Sequence, residues 1–288
     1  MRPVFGWRAR FGETKMKKPL VSVVVPTKNS ESTVEDCLRS IKRQTYSNIE
    51  TIVVDNYSTD KTREIAEKNG ARVYLIGPER TSQMNFGTRK AQGKYVYFVG
   101  SDFVLEPLIV EEAVVKCEGE GYDAVAVHNT SDPSISFWSK VRKLERDCYK
   151  DDDLNVGARF FKTEVFDTVG GFDETLVAAE DYDLQNRVVE KGFRVGRIRS
   201  QEIHIGEPRT LSEIVRKHFY YGKSIQNYVN KNPRMYKRQL SPVRLSYFRH
   251  VSRFAKNPEL AAGFVVYQFV RYFSTAIGLL VTELERAA

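Results

Sequence analysis

The feature that most constrains this chain is the β-branched run Leu20-Val-Ser-Val-Val-Val25, followed at once by a helical pattern. A continuous apolar run of that length suits a strand covered on both faces, as in a parallel sheet. Ser32 and Glu35 then stand at capping-box spacing, and Val34, Leu38 and Ile41 recur at the helical period. The alternation repeats. Strand-like runs at 49–54, 72–76, 95–99 and 124–127 are separated by helical patterns at 59–69, 81–92 and 107–118, the first two closed by Gly70 and Gly93. This order predicts an α/β domain: a Rossmann-like, mostly parallel sheet flanked by helices, with ligands at the carboxyl ends of its strands.

Beyond Val127 the regularity weakens. A helix is expected over Ser136 to Cys148, a short strand at 159–161, a helix at 163–169, a Gly170-Gly171 turn and a helix from about Glu180 to Lys191. From Leu211 onward the pattern is helical and basic. Between Gly206 and Lys256 twelve Lys and Arg face two Glu, a balance of +10, whereas the whole chain carries +8. That density implies a polyanionic partner. The last segment, Leu260 to Val281, is 22 residues with one charge, Arg271, and has the length of a membrane span. Gln268, Arg271 and Thr275 fall on one helical face, and a central Arg disfavours insertion by about 3 kcal/mol. A helix lying in a membrane interface, or packed on the domain or on a second subunit, fits better. The neighbouring basic, Tyr- and Phe-rich segment suits an anionic membrane surface. Three scattered cysteines, Cys37, Cys117 and Cys148, have neither disulfide-framework nor metal-ligand spacing and read as thiols in a reducing compartment.

Two carboxylates stand just beyond strand ends, Asp55 after Ile52-Val-Val54 and Asp102 after Val99-Gly-Ser101. A nucleotide-sugar donor needs an acceptor for base or ribose groups and a carboxylate for the cation bridging its phosphates. Mg²⁺ and Mn²⁺ keep waters and substrate phosphates in their shell, so one protein carboxylate can suffice. Each Asp alone is equally compatible with a strand-end turn. A third acidic cluster, Glu180-Asp-Tyr-Asp183, opens a helix, where carboxylates serve either as dipole caps or as a general base for a hydroxyl.

Six segments occur in order: Val23-Val-Val-Pro-Thr-Lys-Asn29, Ile52-Val-Val-Asp-Asn-Tyr-Ser-Thr-Asp60, Gln83-Met-Asn-Phe-Gly87 with Ala91-Gln-Gly93, Ser101-Asp102 with Leu105-Glu-Pro107, Gly170-Gly-Phe-Asp-Glu174 and Glu180-Asp-Tyr-Asp-Leu184. Over residues 20 to 205 the chain resembles the family-2 glycosyltransferases, inverting enzymes of the GT-A fold. The resemblance implies a nucleoside-diphosphate-sugar donor, a divalent cation (Mn²⁺ or Mg²⁺) and single displacement at the anomeric carbon. It places Pro26, Thr27 and Asn29 at the nucleobase and Asp55 at the base or ribose. Gln83, Asn85 and Ser101 fall in the donor-binding stretches. Asp102 matches the last Asp of the DxD metal motif, Asp181 the catalytic base with Glu180 positioning it, and His204 a histidine that reaches metal or diphosphate. Gly100 replaces the first Asp of DxD, and Gly100→Asp is expected to preserve or tighten metal binding. No Gln-x-x-Arg-Trp signature of processive synthases is present.

With the resemblance confined to residues 20 to 205, the chain divides into a basic N-terminal tail (1–18), a GT-A catalytic domain (19–208) and a basic helical C-terminal region (209–288) whose composition suits a membrane surface. The expected acceptor is a glycan or a polyprenyl-phosphate-linked molecule, the expected location the cytoplasmic face of the membrane, with homo-oligomers left open. Two other readings compete. A basic nucleic-acid-binding protein on a nucleotide-binding scaffold leaves Asp55, Asp102 and Asp181 unexplained and matches no nucleic-acid motif, so no nucleic-acid partner is expected. A nucleotidyltransferase should carry a Gly-rich basic loop after the first strand, and Pro26-Thr-Lys-Asn29 has no glycine.

Overall fold

A computed structural model describes residues 18–152 and 155–287. The tail expected at 1–18 thus lies outside the described residues, apart from Lys18. β1 (Val21–Thr27) is the centre of the sheet, with all seven residues buried. Its side chains alternate, Val23 and Val25 entering one core and Val24 the other. β2 (Ile49–Asp55) and β4 (Tyr95–Phe98) pair with it in parallel, and β3 (Arg72–Leu75) pairs in parallel outside β2. One face is covered by α1 (Val34–Lys42), α2 (Thr62–Lys68) and α4 (Ile109–Glu120). The other is covered by α3 (Arg80–Lys90), α6 (Thr163–Thr168) and α7 (Glu180–Glu190).

Among the described residues the strand order is β3-β2-β1-β4-β7-β6-β8-β5. β7 (Ala158–Lys162) runs antiparallel between β4 and β6 (Ala124–Ser131). β8 (Val195–His204) lies parallel to β6, and β5 (Phe103–Leu105) antiparallel to β8. β1 to β4 therefore form the expected parallel sheet, and the strands from β5 onward make it mixed. Apolar runs carry no strand direction, so the reversal at β7 was invisible to them.

Two local expectations change. α1 begins at Val34 after Thr33, with no side-chain cap, so the Ser32–Glu35 capping box does not form. Gly93 does not close a helix, since α3 has already ended at Lys90. A Cβ at Gly93 would come within 2.8 Å of the Leu20 carbonyl, so glycine is needed there for close approach to β1.

After β8 come α8 (Leu211–Lys231), the short helices α9 (Tyr236–Gln239), α10 (Leu245–Arg249) and α11 (Val251–Ala255), and the long α12 (Pro258–Ala287). α12 packs on α8 and on α5 (Phe137–Arg146). Ile214 meets Tyr267 in one cluster, and a Cβ on Gly222 or Gly278 would run into the other helix's backbone, so α8 and α12 run side by side in the same direction. Buried Glu145 on α5 ties the region down. Its carboxylate takes Arg271 Nη1 at 2.8 Å and Nη2 at 2.9 Å, Tyr149 at 2.7 Å and Tyr247 at 3.1 Å, and pairs with Arg142.

Candidate active site

The carboxyl ends of β1 and β2 are in register, Thr27 beside Asp55. Thr27 Oγ1 donates to Asp55 Oδ2 at 2.8 Å, and the Ser58 amide donates to Oδ1 at 2.8 Å. Asn29 turns the chain over this edge with a left-handed backbone (φ 46°), its Oδ1 accepting from the Thr59 amide at 2.9 Å. Pro26, Thr27, Asn29 and Asp55 are thus brought together. Asp55 has no exposed surface, so it shapes the edge from within.

Gln83 and Asn85 lie on α3 beneath the same cleft. Gln83 Nε2 donates to the Thr27 carbonyl at 2.9 Å and the Val54 carbonyl at 2.6 Å, fixing both strand ends. Asn85 exchanges hydrogen bonds with the Phe172 backbone at 2.8 and 2.9 Å, holding the turn after Gly170-Gly171. Both amides are engaged with backbone and act on the cleft through what they hold. Ser101 Oγ lies 2.9 Å from Ser30 Oγ, closing the loop after β4 onto that after β1.

Asp102 follows β4 and immediately precedes β5, whose register against β8 sets Phe103 opposite His204. His204 Nε2 is 2.9 Å from Asp102 Oδ2, and its Nδ1 is 3.0 Å from Glu207 Oε1. Glu207 is held in turn by Arg146 at 3.0 Å and the Ser131 hydroxyl at 2.6 Å. Burial pushes the Asp102 carboxyl up, but His204 and Lys217 outweigh it and hold the group well below the usual carboxylate range. Asp102 is therefore ionised, its side chain 37% exposed, while His204 behind it is 5% exposed. The chain Asp102–His204–Glu207–Arg146 runs from the cleft into the protein.

α7 opens after Ala179, whose backbone is left-handed (φ 62°). Asp181 borders two adjoining recesses. One reaches the strand ends through Pro26, Gly100 and Arg80, and the other is lined by His128, Asn129, Tyr149 and Asn155, with Arg159 bordering both. Gly157 makes the room, because a Cβ there would stand 3.3 Å from the Asp181 Cβ. Glu180, buried, pairs with Arg80 from the first turn of α3. Asp183, two residues after Asp181, points elsewhere. It is bound by Arg187 at 2.8 Å and Asn232 at 3.0 Å beside a wider cavity on the other side of α7, away from the strand ends.

Against this geometry, the sequence model of the family described as Glycosyl transferase family 2 matches residues 22–171, just over half of the chain. The chain belongs to glycosyl transferase family 2. Among relatives of this family, it is 35% identical over 113 residues to the uncharacterized glycosyltransferase EpsJ of Bacillus subtilis, covering 37% of this chain and 33% of that one. It is 25% identical over 222 residues to glycosyltransferase AglE of Haloferax volcanii, covering 71% of this chain and 72% of that one. The chain spans about a third of the length of the first curated relatives it matches. Among solved structures, the mannosyltransferase PcManGT of Pyrobaculum calidifontis, in complex with GDP-Man and Mn²⁺, superposes with a TM-score of 0.62 at 18% identity, over 94% of this chain and 88% of that one. That likeness shows a shared GT-A fold.

Four groups at this family-2 site escaped the sequence reading. Arg80 had a signal, one helical turn before Gln83 and on the first turn of the helix that faces the cleft. His128, Arg159 and Glu207 had none, for no period or motif marks them. Arg159 pairs with buried Glu202 at 3.1 Å, and neither His128 ring nitrogen has a hydrogen-bond partner.

Proposed function

We propose that this family-2 chain transfers a sugar from a nucleoside-diphosphate-sugar to an acceptor hydroxyl or phosphate, inverting the anomeric carbon. The observation that carries this reading is Asp181 at the junction of two recesses, one leading to the strand ends and one lined by polar groups. Donor and acceptor would meet there from opposite sides. With a hydroxyl acceptor, the oxygen attacks the anomeric carbon, the bond from that carbon to the diphosphate oxygen breaks, and the hydroxyl proton passes to the Asp181 carboxylate. Arg80, half exposed in the donor-side recess, offers a guanidinium for the diphosphate's charge, with Glu180 holding its direction. Pro26, Thr27 and Asn29 would bound the nucleobase, with Asp55, Gln83, Asn85 and Ser101 keeping their loops in place.

The divalent cation fits the residues present. Asp102 offers an ionised, partly exposed carboxylate, and His204 an imidazole with Glu207 3.0 Å from its Nδ1, a donor set suited to Mn²⁺ or Mg²⁺ completed by phosphates and water. When bound, the ion supplies neutralisation of the leaving diphosphate. Residues 19–208 would form the catalytic unit and 209–288 a region that brings it to the cytoplasmic face of a membrane, the acceptor being a lipid-linked glycan or polyprenyl phosphate.

Thermal unfolding with UDP-, GDP- and dTDP-sugars, with and without Mn²⁺, tests the donor. One donor at about a hundred times its dissociation constant should stabilise the chain by about 2.7 kcal/mol, more with Mn²⁺ than without. Stabilisation by RNA or DNA and by no nucleotide sugar would discard the reading in favour of a nucleic-acid-binding protein.

A further inference from the structure

The long C-terminal helix α12 carries its polarity reversed. Its inward side holds the polar groups: Arg271 on Glu145, Gln268 donating to the Tyr247 hydroxyl at 3.0 Å, buried Ser274, and Thr275 beside the His218 carbonyl. Its outward side holds Val265, Phe269, Phe273, Ile277, Leu280 and Leu284, between 39% and 68% exposed. At 100° per residue these six fall within about 120° of one another, an arc that carries Glu259 and Glu283 at the two ends of the helix and no charge between them. An apolar stripe of this length facing water marks a surface that something covers. The segment before it, with its short helices, carries apolar surface of its own. They pack on α12 through Tyr247, Phe254 and Phe264 and leave Val243, Leu245, Phe248 and Val251 more than 60% exposed. Arg249, Arg253 and Lys256 stand exposed among them.

We propose that α12 lies flat on an anionic bilayer, its outward stripe sunk into the interface and the basic side chains of α10 and α11 on the headgroups. This deepens the lipid-linked reading of the acceptor and rests on it for its purpose, but docking is measured without turnover, so each can fail alone. Charge complementarity selects the occupant. Apolar anchors beside Lys and Arg match a surface that is greasy within and negative without. A second copy is the competing occupant: packed antiparallel across a two-fold axis, it would set the basic cluster near Glu283 and Glu285, and sedimentation separates it from a bilayer. The helix is long and apolar enough to cross a membrane. Its inward face nevertheless contacts Phe137 at Gly263, Glu145 at Arg271 and the α8 backbone at Gly278. A span would strip these contacts away and leave buried Glu145 without Arg271.

The test is flotation of the full chain with vesicles of phosphatidylglycerol and phosphatidylcholine in equal amounts, compared with phosphatidylcholine alone. The unaltered chain should float with the mixed vesicles and bind the neutral ones about tenfold more weakly or worse. Phe269→Glu with Phe273→Glu should lower partitioning by about a hundredfold, with circular dichroism and melting unchanged because both rings point outward. Arg249→Glu with Lys256→Glu should cost about tenfold or more on mixed vesicles only. Three results would overturn the proposal. One is a chain that ignores vesicles and sediments as a dimer dispersed by the Phe pair. Another is binding that only detergent reverses, whatever the lipid charge. The third is a Phe variant, folded by both criteria, that floats like the parent.

Discussion

Asp102 shows how much one position depends on its neighbours. The DxD comparison marked Gly100 as a missing carboxylate, to be restored by Gly100→Asp. The structure argues the reverse. A Cβ at Gly100 would lie 2.8 Å from both Asp102 Oδ1 and the Phe103 ring, so the new side chain displaces the carboxylate it was meant to help. We expect Gly100→Asp to weaken Mn²⁺-dependent donor binding, and Asp102→Ala to abolish it, both read by calorimetric titration of donor with and without Mn²⁺. Tighter binding in Gly100→Asp would show that Phe103 yields. At this scale the strand-end residues were legible because small, polar turn residues after apolar runs have a local signature. Glu207 was not, because its place in the chain from His204 to Arg146 exists only in three dimensions.

At the scale of elements, β1, β2 and β4 were legible because continuous apolar runs announce strands buried on both faces. β8 was not. Its inward positions include Gly196, Ser200, Glu202 and His204, so a buried strand of ten residues shows no apolar period. β6 likewise runs past Val127 to Ser131, because His128, Thr130 and Ser131 are buried polar groups. α12 was legible as a helix, and the grouping of Gln268, Arg271 and Thr275 holds, but which side faces the protein depends on Glu145, seen only in the fold. That anchor has a measurable weight. Glu145→Gln should destabilise the chain by about 3–5 kcal/mol, since it leaves Arg142 and Arg271 without their buried counter-charge. Burial pushes the Glu145 carboxyl up, but Arg142 and Arg271 hold it well below its ordinary 4.5. A depressed carboxylate stabilises the fold fully above its unfolded value and loses that contribution as the pH falls through the folded one. The gap between parent and Glu145→Gln in urea unfolding should therefore be constant around neutrality and narrow only below about pH 4. A gap that widened on acidification would contradict the assignment.

Across the whole molecule the parts divide the work by position. The parallel half of the sheet holds one recess at its strand ends, the mixed half builds the wall of the second, and α7 places Asp181 between them. A proton acceptor at that junction matters in the transition state and not in holding the donor, so substitution should separate binding from chemistry. Single-turnover sugar transfer by the full chain, run beside donor titration, measures this for Asp181→Asn. The donor should bind as tightly as to the parent, while the chemical step falls by about 10²-fold or more. Transfer at the parental rate with donor binding intact would contradict it and place the base elsewhere in the cleft.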